Sequence, residues 1–256
     1  MKVYSLKKSL LHSPFFLLIL FTSYLHLYGQ EKGNLKQLQK NIESLQRKYR
    51  RTKGEIALVA VSKGQSSAYI RTAYNLGIKK FGENYLQEAE DKQSELGDLE
   101  IEWHFIGAIQ SNKTAYIANN FSWVHSLERL KIARRLNEQR RKDMPQLNVL
   151  IQINLPGENK SGIQPGELSE FSKEIMNLEN LRLRGVMYFP PKTDSFDEAR
   201  AKYLKVISLT KSIKYMDTLS MGTSSDYEAA IAAGTTMIRL GTTIFGPRVQ
   251  GHGVNL

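Results

Sequence analysis

Ile56-Ala57-Leu58-Val59-Ala60-Val61 decides the fold. Six apolar residues in a row, half of them β-branched, read as a strand buried on both faces, as in a parallel sheet covered by helices. The run stops at Ser62-Lys63. Upstream, Leu35, Leu38, Ile42 and Leu45 recur at helical spacing within 34–50, an extra N-terminal helix. Downstream come a helical stretch at 66–76, a short strand at 79–81 and a helix at 85–96. Further strands are expected at 101–106, 121–124, 148–154, 181–187, 217–220 and 236–240. Further helices are expected at 127–141, 165–177, 196–212 and 226–233. Strand followed by helix, eight times over, implies right-handed parallel crossovers. Eight such units in about 200 residues fit a small closed α/β barrel, the (β/α)₈ or TIM barrel. An open doubly wound sheet would need a glycine-rich first turn. Lys63-Gly64-Gln65 stands there instead, so the barrel is the expectation, as one domain.

Composition narrows the chemistry. The chain has 256 residues, 41% hydrophobic and 24% charged, which excludes a disordered or collagen-like protein. It has no cysteine, which excludes disulfides, thiolate catalysis and Cys-ligated metals. Of the net charge of +11, three come from Lys2, Lys7 and Lys8, leaving +8 for residues 31–256. That surplus suits anionic partners. The Lys/Arg-rich stretch 134–142 lacks interleaved aromatics for stacking on bases, so it reads as a solvated helix face, not a nucleic-acid site.

Residues 1–33 form a separate segment. Lys7 and Lys8 precede Pro14-Phe15-Phe16-Leu17-Leu18-Ile19-Leu20-Phe21, and the first acidic residue is Glu31. A basic start and a short apolar stretch match a secretory signal, or an upstream-extended start with the true chain beginning near Leu35. The apolar stretch is below the ~18 residues of a spanning helix. The segment is set apart from the barrel, which is expected over 34–256.

A barrel of this kind carries its site at the C-terminal strand ends. Lys63 ends the first strand, where partial desolvation can make its amine nucleophilic enough for a Schiff base; a lysine snorkelling into solvent is the plainer reading. Asn84 follows the second strand, and His104 lies late in the third. Ser220-Met221-Gly222-Thr223-Ser224 and Arg239-Leu240-Gly241-Thr242 follow the seventh and the eighth. Gly222 and Gly241 would let backbone N–H groups approach a phosphate, with hydroxyls from Thr223, Ser224 and Thr242. Ser225 and Glu228 have capping-box spacing for the next helix. Arg239 interrupts an apolar strand, so its guanidinium needs a ligand acceptor or a structural carboxylate. His104 and His125 lack metal-site spacing, so no metal is expected. Gly241 and Gly246 have the Walker A gap, but Pro247-Arg248 follows, so that reading fails.

Taken together, these segments resemble the pyridoxal phosphate homeostasis protein family, also called the YggS/PROSC family. The matching strings are Leu58-Val59-Ala60-Val61-Ser62-Lys63, Phe81-Gly82-Glu83-Asn84-Tyr85, Trp103-His104-Phe105-Ile106-Gly107 and Gln110-Ser111-Asn112-Lys113. Lys160-Ser161-Gly162, Leu183-Arg184-Gly185-Val186-Met187, Ser220-Met221-Gly222 and Arg239-Leu240-Gly241-Thr242 continue the match, which runs from about residue 34 to Arg248. The resemblance implies a barrel like the N-terminal domain of alanine racemase, without the racemases' second, β-rich domain. It implies pyridoxal 5′-phosphate (PLP) as cofactor, with Lys63 forming the internal aldimine. Ser224, Gly241 and Thr242 match phosphate-binding positions, and Arg239 the arginine facing the pyridine nitrogen. Asn84 and His104 match positions near the cofactor. Thr223 stands where the family usually has methionine. Such an arginine weakens the ring as an electron sink, so the resemblance implies a cofactor-holding protein of PLP homeostasis without strong turnover. PLP-dependent apo-enzymes are then its expected recipients, and a cytoplasmic monomer the expected state, although the N-terminus leaves export open. A PLP-dependent racemase or lyase, a Schiff-base aldolase and a nucleic-acid-binding protein are the alternatives.

Overall fold

The apolar run forms β1 (Ala57–Val61), hydrogen-bonded in parallel to β2 (Lys80–Glu83) on one side and β8 (Met237–Leu240) on the other. The computed structural model describes the backbone of residues 14–211, 213 and 215–246, with side chains from residue 32 onward. Lys2, Lys7, Lys8, Pro247 and Arg248, used in the reading above, lie outside the described residues. Between β2 and β8 come β3 (Glu102–Phe105), β4 (Trp123–Leu127), β5 (Leu147–Ile153), β6 (Leu181–Tyr188) and β7 (Thr218–Ser220). Each strand pairs in parallel with the next, and β8 returns to β1, so the sheet closes in sequence order. The expected (β/α)₈ barrel is what the chain forms.

Period-two alternation sends successive strand residues outward to the helix ring or inward to the barrel, where β1, β4, β5, β6 and β8 build a small apolar core. In β1, Ala60 faces the helix ring, while Val59 points inward to meet Trp123, Leu150, Met187 and Met237. By the same alternation Lys63 and Asn84 continue the inward rows of β1 and β2, and Ser62 and Glu83 the outward rows.

The helices are α1 (Pro14–Lys48), α2 (Ser67–Asn75), α3 (Leu86–Glu95), α4 (Thr114–Asn120), α5 (Leu130–Gln139), α6 (Leu168–Met176), α7 (Phe196–Thr210), α8 (Tyr227–Ala233) and α9 (Thr242–Phe245). α1 starts some twenty residues before the periodic stretch at 34–50. Its predicted stripe does pack: Leu35 and Leu38 are buried, and Ile42 and Leu45 lean on the same core. Burying a leucine in this way contributes roughly 1.5–3 kcal/mol. Asn34 fastens the helix by donating to the Ile244 carbonyl of α9 at 2.9 Å. Among the described residues no helix is long and apolar enough to cross a membrane.

Two further elements differ from expectation. Leu127, expected to open a helix, is the fully buried last residue of β4, and α5 begins only at Leu130. Its register with Ile151 gives it a strand partner that no helical period reveals. α4, with the 3₁₀ turn Ser111–Lys113 before it, fills the β3–β4 crossover that carried no expected helix.

Candidate functional site

The C-terminal strand ends open on a cavity of about 540 Å³. Six of the expected residues line it: Lys63, Asn84, Ser224, Arg239, Gly241 and Thr242. Lys63 and Asn84 are half-buried, and Thr242 is exposed at the rim. The Asn84 Oδ1 is buried and has no hydrogen-bond partner among the described residues. Gly107 lies against this residue so closely that a Cβ there would overlap the Asn84 carbonyl. An unsatisfied buried acceptor costs about 1–3 kcal/mol, so a donor on a bound molecule fits this position.

Two loops form the opposite wall. The Ser224 and Thr242 hydroxyls make no hydrogen bond among the described residues. Asp226 organises the loop after β7: its Oδ1 accepts from the Thr223 N–H at 2.6 Å and hydroxyl at 2.9 Å, and its Oδ2 from the buried Tyr203 hydroxyl at 2.7 Å. The capping box expected at Ser225 and Glu228 does not form. Asp226 takes the N-cap position of α8, and Glu228 instead accepts from Lys48 at 2.9 Å and Tyr49 at 3.1 Å. The same Ser/Thr-x-x-acid spacing two residues earlier, Thr223 to Asp226, is the signal that marks the working pair. Gly222 does not line the cavity. Its φ of +97° and its packing on α8, where a Cβ would stand 2.8 Å from that of Ala230, give it a role in the turn.

Arg239 is 6% exposed. Its Nη1 donates to the Ser220 carbonyl at 2.6 Å and hydroxyl at 2.7 Å, and its Nη2 to the Tyr188 carbonyl at 3.4 Å. These partners are all neutral oxygens, which settles the choice posed by the sequence against a bonded carboxylate. Burial pushes the guanidinium below its ordinary pKa, while Tyr203 and Asp226 act the other way.

The chain of contacts continues inward. The Ser220 hydroxyl lies 3.0 Å from His125 Nδ1, His125 Nε2 lies 2.8 Å from His104 Nδ1, and His104 Nε2 lies 2.9 Å from Glu102 Oε1. Lys80 donates to that same carboxylate oxygen at 2.7 Å. Donor order fixes the tautomers. Arg239 donates to Ser220, Ser220 to His125 Nδ1, His125 Nε2–H to His104, and His104 Nε2–H to Glu102. Burial holds both imidazoles below their ordinary pKa, His125 well below, with His104 and Arg239 adding to the effect. The His104 hydrogen bond, together with Lys80, draws Glu102 down to about 2 against the opposing cost of burial. His104 is thus wholly buried, stacked at 5.4 Å on Trp123, and does not line the cavity. Both its ring nitrogens are used inside the barrel, so of the expected site residues His104 is the one that stands behind the cavity and not on its lining. Among the described residues no group of three His, Asp or Glu could hold a metal ion.

Residues 33–249 match the family model described as alanine racemase, N-terminal domain. A pyridoxal phosphate homeostasis protein of Pseudomonas aeruginosa is 50% identical over 198 residues, 77% of this chain and 86% of that protein. One of Escherichia coli is 47% identical over 223 residues, 84% of this chain and 95% of that protein. The solved structure of PipY of Synechococcus elongatus with PLP bound superposes with a TM-score of 0.74 at 31% identity, over 84% of this chain and all of that one. On identity and coverage of this extent, the chain belongs to the pyridoxal phosphate homeostasis protein family.

Proposed function

We propose that this protein binds PLP in the barrel mouth, holds it as a Schiff base on Lys63 and serves intracellular PLP homeostasis without strong turnover of its own. One observation carries the reading: an amine, a buried guanidinium and two hydroxyls without partners among the described residues converge on one cavity. Lys63 supplies the amine for the aldehyde. Ser224, Thr242 and the backbone at Gly241 face the phosphate, and Arg239 takes the ring nitrogen. The orphaned Asn84 Oδ1 accepts from the ring hydroxyl. His104 acts from beneath, through His125 and Ser220. Bound in this way, the cofactor would supply a reactive carbonyl. A guanidinium fixed as a donor by Ser220 and Tyr188 brings no proton to a ring nitrogen and so weakens the electron sink. PLP-dependent apo-enzymes as recipients, a monomeric state and a cytoplasmic location go with this reading. Finding the native N-terminus processed near Glu31 in an exported fraction would overturn the location.

The test is the visible spectrum of purified protein with PLP, then borohydride reduction and peptide mapping. The pyridoxyl adduct is expected on Lys63, with the visible band lost in Lys63→Ala. An adduct mainly on Lys113 or Lys160 overturns the assignment. Deuterium exchange into alanine distinguishes holding from turnover. It should stay within about tenfold of free PLP, and rates on the order of 1 s⁻¹ would make the protein an enzyme.

A further inference from the structure

On the outward face of the barrel wall, directly behind Lys63, lies an ion triad that the pocket does not contain. Lys92 of α3 is 5% exposed, and Glu83, the last residue of β2, is fully buried. All three N–H donors of Lys92 Nζ are used: to Glu83 Oε1 at 2.7 Å, to Glu88 Oε1 at 2.6 Å and to the Ser62 carbonyl at 2.7 Å. The Ser62 hydroxyl donates to Glu83 Oε1 at 2.6 Å, and the Gly64 N–H donates to Glu88 Oε1. Both chain neighbours of Lys63 are therefore tied to the triad, one through its carbonyl and hydroxyl, the other through its amide. Glu83 also precedes Asn84, so the same cluster sets the second residue of that wall.

We propose that Lys92, with Glu83 and Glu88, is the positioning device for Lys63, and that its charge balance sets how tightly the cofactor is held. The inference rests on the reading of Lys63 as the PLP-bearing lysine. Stability alone does not call for a buried ion pair here, because apolar residues of similar volume commonly serve as well. Position gives the better reason. A five-bond clamp spans the two peptide groups that flank one reactive side chain. Glu83 meets Lys92 and Glu88 from α3, only the Ser62 hydroxyl from β1, and Phe105 in register on β3. Burial raises the Glu83 carboxyl above its ordinary pKa, with Lys92 as its main opposing influence. Without Lys92, Glu83 should carry a proton at low pH and lose it at high pH. Two unneutralised carboxylates would then repel across the clamp and release Ser62–Gly64. A simple staple for α3 would give no such pH signature.

The experiment titrates PLP by its protein-bound absorbance into wild type, Lys92→Met, Lys92→Met/Glu83→Gln and Glu88→Gln between pH 6 and 9, with folding checked by circular dichroism. Relative to wild type at each pH, Lys92→Met should bind about tenfold more weakly at pH 6 and about a hundredfold more weakly at pH 9. The double variant should lose the pH dependence and bind more tightly than Lys92→Met at the upper end. Glu88→Gln should weaken binding about threefold, evenly across the range. Lys92→Met within twofold of wild type at every pH would overturn the proposal. If Lys92→Met does not fold, folded Glu88→Gln with unchanged affinity would overturn it, and the even loss would sustain it. Borohydride mapping of wild type is the separate control: an adduct away from Lys63 sinks the reading beneath, whatever the pH profiles show.

Discussion

Behind Arg239 the support is neutral and runs through the barrel interior; behind Lys63 it is ionic and sits outside the wall. The first strings Ser220, His125 and His104 between a guanidinium and a carboxylate. No two opposite charges meet along it until Lys80 and Glu102, which are partly exposed. The second packs one ammonium between two carboxylates, with Lys92 and Glu83 almost without solvent. Neutral relays are cheap to bury and hold geometry through hydrogen-bond direction. Buried ion clusters hold geometry more tightly but become liabilities when one member is lost. The two supports should also respond oppositely to pH.

The sharpest break is Lys92→Met measured as stability. It leaves Glu83 buried without its counter-charge, which should cost about 3–5 kcal/mol near pH 8. Because the folded Glu83 pKa is raised, its favourable share is present below the ordinary carboxylate range and lost as pH rises through the raised value. Urea denaturation should therefore show the variant recovering as pH falls toward 5. A deficit of equal size at both pH values would mean that only packing was lost.

The relay runs the other way. His104 and His125 have lowered pKa values, so their contribution is present above the ordinary histidine value of about 6.5 and lost as pH falls toward the lowered ones. Glu102, drawn down to about 2, likewise contributes above the ordinary carboxylate value and loses that share as pH falls toward 2. His125→Phe keeps an aromatic ring, slightly larger, but strands His104 Nδ1 and leaves the Ser220 hydroxyl without its acceptor, at a cost of about 1–3 kcal/mol for each group. Its stability should decline less steeply than that of wild type between pH 7 and 5. An unchanged slope would place the acid sensitivity elsewhere.

These supports were the least legible part of the sequence. β1 could be read because six consecutive apolar residues have few other fates, and Lys63, Arg239, Gly241 and Thr242 because a barrel sends its strand ends to one mouth. His104 and His125 stand 21 residues apart, and only the β3–β4 pairing brings a nitrogen of each ring within 2.8 Å of the other. Lys92 lies among Glu88, Glu90 and Asp91, where it reads as half of an exposed helical pair. Its burial depends on how α3 docks on the Glu83 end of β2, which no local pattern encodes. Leu127 is ambiguous for the same reason: an apolar residue at a strand end suits the start of a helix equally well. Local periodicity finds elements, whereas their exact ends and the polar partners across elements need the closed barrel.

The smallest effect tests how far the two supports differ in kind. Ser220→Ala removes the hydroxyl that joins Arg239 to His125, yet Arg239 keeps the Ser220 backbone carbonyl at 2.6 Å and the Tyr188 carbonyl. A neutral relay that only orients the guanidinium should therefore tolerate the cut. Losing one hydrogen bond to a charged group costs about 1.5–3 kcal/mol when nothing replaces it. Here the surviving carbonyl bonds should hold the loss to about 1 kcal/mol, roughly fivefold in PLP affinity by absorbance titration. Phosphate-free pyridoxal should weaken by the same factor, because in the proposed arrangement Arg239 would face the ring and not the phosphate. A loss near a hundredfold would mean that the relay carries Arg239's charge to Glu102 as well as its orientation, and the contrast with the Lys92 triad would collapse.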